Sequence, residues 1–238
     1  MSILNNFSGF IFGMECLGCG NPSGNLDPWL CPACRAELNR LSASSCSPSV
    51  DVFCLFPMRP LTRHLVHALK YKSIPGMATY LVKHSAARTD FCIGQELALL
   101  PQPLFFVPVP IHPARLRERG YNQAEKIAEA LALVCGGRVC RWLRRKTFVV
   151  SQTKLSREQR EWNVAGAFEC HLPSKPPSRG TVIVVDDVYT TGATTASCLG
   201  MFGPDFPLPL KVCTLLFEEP ATAAADFAAD QRAGWEYG

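Results

Sequence analysis

Long hydrophobic runs are missing from this chain of 238 residues. The best candidate, 7–17, is too short to cross a bilayer and is interrupted by glycine and glutamate. It also lacks the basic flank of a secretory signal. Membrane insertion is therefore not expected, and the cytoplasm is the expected compartment. Strong charge of one sign is missing too. The formal charge is only +4, below that of a dedicated nucleic-acid binder, so charge alone decides little. No Walker A sequence occurs, which excludes an ATP-driven motor. No G-x-S-x-G elbow or Ser-His-Asp order occurs, which argues against a serine hydrolase. Internal repeats and long low-complexity runs are absent as well.

What is present is an ordinary apolar fraction, 47%, and an unusual number of cysteines, 12. Cytosolic thiols stay reduced, so metal ligation or burial must account for them rather than a disulfide scaffold. Four are paired as Cys16-x-x-Cys19 and Cys31-x-x-Cys34. Two such hairpins place four thiolates on one tetrahedral metal, and a site closed by four cysteines is structural rather than catalytic. Zinc is the expected ion. Gly18 and Gly20 permit the tight turn at the first pair. Cys46 and Cys54 are near enough to be alternative ligands but lack the spacing. The other six cysteines read as small core residues.

The composition divides the chain into an N-terminal zinc-binding region (1–58), an α/β domain (59–220) and a loosely attached tail (221–238). A Ser/Pro-rich stretch, 42–49, follows the cysteine quartet. Leu61, Leu65, Ala68 and Leu69 recur at helical spacing, and 77–87 is a second helix. Residues 104–109 read as a buried strand, 121–134 as a helix and 139–143 as a strand. The clearest buried strand is 181–185, followed by a helix over 191–199 and a strand over 211–217. Strands alternating with helices indicate a mostly parallel sheet flanked by helices. Residues 144–163 show little apolar periodicity, and so long an irregular stretch is usually functional.

The most informative segment is Thr181-Val-Ile-Val-Val-Asp-Asp-Val-Tyr-Thr-Thr-Gly-Ala-Thr194. A β-branched strand delivers two acids, a Thr/Gly turn follows, and a helix begins. Ligands of open α/β sheets bind outside the carboxyl ends of strands. A helix N-terminus offers unpaired N–H groups and a positive dipole end to an anion. Gly192 allows close backbone approach, and Thr190, Thr191 and Thr194 add hydroxyl donors. Capping needs only one such residue, whereas this turn supplies several. Carboxylates beside an anion site need hydroxyls or a metal to offset repulsion. A ribose and Mg²⁺ would provide both.

This segment resembles the signature of the type I phosphoribosyltransferases. The resemblance implies that Asp186 and Asp187, the residues closest to the chemistry, contact the ribose hydroxyls. It also implies that Thr190, Thr191, Gly192, Ala193, Thr194 and Thr195 cradle the 5-phosphate of 5-phosphoribosyl-1-pyrophosphate (PRPP).

A second strand, turn and helix runs from Phe106 to Gln123 and carries Arg115, Arg117 and Arg119. Arginine forks suit phosphate oxygens. Arg115, Arg119, Asn122 and Gln123 are candidates for contact with pyrophosphate or DNA: taken alone the pattern reads better as a charged loop before a capped helix, and the phosphate loop shifts the balance toward function. His112 lies in the same turn. Further on, Arg144, Arg145, Lys146, Lys154, Arg157 and Arg160 form a basic stretch that suits either a polyphosphate or a nucleic-acid backbone. His64 and His67 share a helix face and read as packing or exposed residues.

Together, V-P-V-P…R-x-R-G-Y-N-Q-A, then Q-T…L-S…R…N-V…G-A-F, then D-D-V-Y-T-T-G-A-T resemble the ComF family of competence-associated, phosphoribosyltransferase-like proteins. The similarity runs from Cys16 to about Phe217, and Tyr121 stands where that family often has phenylalanine. It implies a role in DNA uptake and natural transformation with single-stranded DNA and a ComF-type, helicase-like partner. ComF-like proteins often carry the cysteine quartet. The alternative is an active phosphoribosyltransferase, which would pass phosphoribose from PRPP and Mg²⁺ to an acceptor that the residues do not identify. A third reading is a scaffold with a vestigial pocket.

Overall fold

The computed structural model describes residues 14–41, 49, 51–86, 93–146 and 167–218. Its centre is a five-stranded sheet with all neighbours parallel. The strands are β3 (Val52–Pro57), β4 (Leu104–Pro108), β5 (Arg138–Val139), β8 (Thr181–Tyr189) and β9 (Leu210–Phe217), in the spatial order β3-β9-β8-β4-β5. Two small antiparallel ribbons accompany it. One pairs β1 (Met14–Glu15) with β2 (Pro22–Ser23), and the other pairs β6 (Leu143–Arg145) with β7 (Phe168–Cys170).

Seven described helices complete the fold: α1 (Pro32–Arg40), α2 (Pro60–Tyr71), α3 (Gly76–Ala86), α4 (Ile93–Ala98), α5 (Pro113–Arg119), α6 (Gln123–Cys135) and α7 (Ala193–Gly200). The expected architecture, a mostly parallel sheet flanked by helices with a small N-terminal four-cysteine element, is the one observed.

Strand periodicity assigns the two faces of the sheet. Leu104, Phe106, Ile183 and Val185 pack with buried residues of α2, α3, α4 and α6. Their alternates Phe105, Val107, Val182 and Val184 pack with Cys198 of α7, Phe202, and Leu143 and Phe168 of the β6–β7 ribbon. Helix α2 shows why the sequence pattern was readable. Leu61, Leu65, Ala68 and Leu69 are all buried along one stripe. Pro60 occupies its first turn, where a missing N–H costs nothing.

Three expectations need correction. The strand expected at 139–143 is two separate pieces. β5 pairs with β4, and the chain then leaves the sheet so that β6 can pair with β7. The strand expected at 181–185 runs on to Tyr189, because β9 continues to hydrogen-bond beside it up to Phe217. Asp186 and Asp187 are therefore strand residues. The helix expected from Thr191 begins at Ala193, because Gly192 adopts a left-handed conformation as its N-cap. Of the basic stretch, Arg144, Arg145 and Lys146 are described, whereas Lys154, Arg157 and Arg160 lie outside the described residues, as does the tail from 221. Among the described residues no helix is long and apolar enough to cross a membrane.

Candidate functional site

The site forms where β8 ends. Parallel pairing on both sides fixes β8: Val185 lies beside Pro108 of β4, and Asp186 beside Thr214 of β9. The backbone N–H of Asp187 donates to Asp186 Oδ1 at 2.9 Å. Burial, followed by the neighbouring Asp187 charge, pushes the Asp186 carboxyl up to about 7. Asp187 instead meets a cation. Lys70 Nζ, in the last turn of α2, lies 3.0 Å from its Oδ2.

After Tyr189 the chain wraps round a small hollow lined by Asp186, Val188 and residues 189–195, with a volume of about 30 Å³. Gly192 is at φ +76°, and a Cβ there would sit 2.4 Å from the Tyr189 hydroxyl. Only glycine combines that backbone with so close an approach. Thr195 is buried and donates to the Gly192 carbonyl at 2.9 Å. The Thr191 hydroxyl accepts from Ala193 N–H at 3.4 Å. Thr190 and Thr191 are exposed, while Thr194 is half-buried. The turn thus brings Thr190, Thr191, Gly192, Ala193 and Thr194 around one hollow beside Asp186.

The second basic segment reaches the same neighbourhood through the end of α2. The Arg119 guanidinium lies over the Tyr71 ring, 4.9 Å from its centroid, and donates to the Tyr71 hydroxyl at 3.3 Å. Tyr71 follows Lys70 in the chain, so one helix end touches both Asp187 and the arginine segment. Arg119 Nε is buried with no partner among the described residues. The Tyr121 hydroxyl donates to the Leu69 carbonyl, tying the start of the next segment to the same helix.

The other candidates from that segment sit differently. Arg115 is exposed and pairs with Glu118 at 2.7 Å. The fold uses the Asn122 side chain to cap α6: it accepts from Ala124 N–H at 3.1 Å and donates to the Val109 carbonyl at 2.9 Å. Gln123 is buried, and its Nε2 has no partner among the described residues. His112 caps α5, its Nδ1 accepting from Ala114 N–H at 3.1 Å.

Arg144 stands opposite Glu169 in the β6–β7 register. Arg145 lies over the Phe168 ring, 5.4 Å from its centroid. Lys146 closes the ribbon through a backbone bond to Ala167. Burial pushes the Cys198 thiol of α7 up to about 12. Arg145 belongs to the ribbon packed on the Val182/Val184 face of the sheet, the face to which strand alternation also turns Asp186, whereas Asp187 is turned to the opposite face, toward Lys70.

Two features of the site escaped the sequence. Lys70 is one lysine among several on amphipathic helices, and no spacing ties it to Asp187. Ser73, just beyond α2, holds φ +54°, a conformation that costs a non-glycine residue energy.

Against the first half of α2, Cys16, Cys19, Cys31 and Cys34 converge with all four sulfurs within 4.8 Å of one another. A tetrahedron with zinc–sulfur bonds of ~2.3 Å has edges of about 3.8 Å, so the cluster has the dimensions to hold a metal ion such as zinc. Cys54 is not part of it. It is buried in β3 and accepts from the Thr214 hydroxyl at 3.3 Å. Cys46 lies outside the described residues. Burial alone would push the Cys16 thiol up, yet backbone N–H groups, including those of Cys31 at 3.3 Å and Gly18 at 3.4 Å, hold it at about 7. Burial, reinforced by the surrounding thiols, pushes Cys34 far above its usual range. A cation at the centre would remove that opposition. The His64 ring meets the Gly18 carbonyl at 2.8 Å, which anchors the element on α2.

No family model matches the chain. It is similar to curated proteins of known name. It is 31% identical over 136 residues to DNA utilization protein YhgH of Salmonella typhi, covering 56% of each chain. It is 32% identical over 124 residues to competence protein F of Haemophilus influenzae, covering 48% of this chain and 47% of that one. It is 31% identical over 120 residues to competence protein ComFC of Bacillus subtilis, covering 48% and 46%. These alignments span about half the length of the curated relatives.

Proposed function

The chain is a member of the ComF family, and from that premise we propose that it binds PRPP at the end of β8 and acts on single-stranded DNA during DNA uptake. The names of its relatives, DNA utilization and competence proteins, support the DNA role. One observation carries the pocket: two adjacent carboxylates at the end of a central parallel strand, next to a Thr/Gly turn, with Asp187 held 3.0 Å from Lys70.

In this reading the carboxylates of Asp186 and Asp187 accept from the ribose hydroxyls. The backbone N–H groups and hydroxyls of residues 190–195 receive the 5-phosphate. Lys70 and Arg119, gathered at one end of α2, face the pyrophosphate. Mg²⁺ prefers hard oxygen donors, and the acidic pair with a polyphosphate is such a set. It would supply charge neutralisation when bound. The four cysteines hold a structural zinc, since no coordination position stays open for water. The element they form is the proposed docking surface for a helicase-like partner.

The cations beside the acidic pair also favour a second reading, an active phosphoribosyltransferase in nucleotide metabolism. Departing pyrophosphate is stabilised by fixed positive charge rather than by covalent catalysis.

The test is titration of PRPP into the zinc-loaded protein with and without Mg²⁺, alongside the Asp186→Asn, Asp187→Asn double variant. Saturable, Mg²⁺-dependent binding that the variant loses is the expected result. A folded wild type that binds no PRPP removes the pocket from the proposal. Release of pyrophosphate only when a nucleobase or other acceptor is added would select the enzyme reading.

A further inference from the structure

A second cavity opens at the far edge of the sheet, with a volume of about 350 Å³. It is lined by Arg138, Cys140 and Trp142 on one side and by Pro173, Lys175 and Pro177 of the β7–β8 connection on the other. The register separates it from the acidic pair. Arg138 lies beside Phe105, which lies beside Val182 of β8. Four residues along the strand and two strand spacings across put it roughly 16 Å from Asp186.

The chemistry of the lining is one-sided. It contains two cations and no carboxylate. Elsewhere on the surface cations are often neutralised: Arg35 by Asp27, Arg115 by Glu118, Lys126 by Glu129 and Arg141 by Glu125. Among the described residues neither Arg138 nor Lys175 has a carboxylate partner.

Arg138 is also held in place. Its guanidinium lies over the Phe105 ring, 4.8 Å from the centroid, and the Trp142 ring packs on the same phenylalanine at 5.3 Å. Phe105 is fully buried, so the cation and the indole rest on a rigid base. The two proline rings opposite add flat apolar surface that loses little entropy on contact.

One cation held over a ring and a second on the facing loop, beside flat apolar groups in a hollow of small-ligand size, suit a phosphate joined to a planar base. A base stacked in a duplex cannot enter a concave pocket, whereas an unpaired one can. We propose that this cavity is a contact point for single-stranded DNA. Arg138 and Lys175 neutralise two backbone phosphates, and one unstacked base enters between Trp142 and the prolines. The assignment rests on the DNA role proposed above and places one DNA contact away from the ribose-phosphate pocket.

The test is fluorescence anisotropy of a labelled oligothymidylate with the full-length, zinc-loaded chain over a salt series. Two phosphate contacts contribute a slope of about 1.4 in log affinity against log salt. The Arg138→Gln, Lys175→Gln double variant is expected to flatten the slope by that amount and to weaken binding about tenfold at low salt. Lys175 is exposed on a loop, so Lys175→Glu alone should weaken binding without lowering the melting temperature. That guards against a folding defect at Arg138. A strand carrying 5-iododeoxyuridine should photo-crosslink to the peptide containing Trp142. Wild-type binding that both variants leave intact, or an equal loss for duplex DNA, would overturn the assignment while the DNA role survives. A wild type that binds no single strand would overturn both.

Discussion

Lys70 and Asp187 meet at 3.0 Å although they belong to different halves of the chain. The pair joins the last turn of α2 to the strand that carries both acids, with side-chain exposures of only 23% and 16%. A half-buried pair is screened less than a surface pair, so losing one partner is felt. The same helix contacts the four-cysteine element through His64 and the arginine segment through Tyr71. Helix α2 is therefore the common wall of the molecule's two candidate sites.

Replacing Lys70 tests whether that cation serves the ligand. Lys70→Met keeps the apolar stem and removes the charge. PRPP carries several negative charges, and losing one positioned cation should cost about 1.4 kcal/mol, a tenfold weaker affinity. Lys70→Arg should retain most of it. Isothermal titration at fixed Mg²⁺ reads the difference, and equal affinities for wild type and Lys70→Met would assign the pair to stability alone.

Asp186 makes a prediction about pH. Its carboxyl is pushed up to about 7 by burial and by Asp187, whereas in the unfolded chain it titrates near 3.9. The folded state thus binds the extra proton, and stability falls as pH rises from about 4 to 7, staying low above that. Asp186→Asn removes the titration. Variant and wild type should melt together near pH 4, and at pH 8 the variant should melt higher by roughly 8–16 °C. A gap that stays constant across this range would contradict the assignment.

Much of this architecture could be read in advance because it is local. The stripe on α2 and the run 181–185 each repeat with one period, and periodicity is a property of neighbouring residues. The quartet of cysteines is likewise defined by spacing. What could not be read depends on pairing between distant segments. Tyr189 is a strand residue because β9 accompanies β8 to Phe217. Asn122 turns out to cap α6 and bond Val109, which its polarity alone could not distinguish from ligand contact. The Lys70–Asp187 pair is set by how α2 packs on the sheet, and no motif encodes it.

Two glycines make a matched pair of substitutions. At Gly192, φ is +76° and a Cβ would press on Tyr189. Gly192→Ala should cost roughly 1–2 kcal/mol, lower the melting temperature by a few degrees and weaken PRPP binding at least about tenfold. At Gly200 nothing lies within 4 Å of an added Cβ, so Gly200→Ala should be neutral or slightly stabilising. Calorimetry and titration of both variants separate turn geometry from a general intolerance of alanine.

The final prediction concerns the cysteine cluster. Cys16 and Cys34 are buried in the same apolar cluster as Leu30, Leu38 and Leu61. A Cβ at Gly18 would sit 2.6 Å from Leu61 and 2.9 Å from the Cys34 sulfur, so the knuckle packs directly on α2. Burial, and after it the neighbouring thiols, push the Cys34 thiol far above its usual range, and a metal at the centre would offset both. Purified protein should therefore carry one zinc per chain. Removing it with a chelator should cost about 3 kcal/mol or more, lowering the melting temperature by roughly 6–12 °C. Cys34→Ser should lose the metal, whereas Cys54→Ser should keep it, because Cys54 lies in β3 against Thr214. Because α2 also carries Lys70, the chelated protein should bind PRPP more weakly even below its melting transition. Unchanged PRPP affinity after complete zinc removal would show that α2 holds its position without the metal.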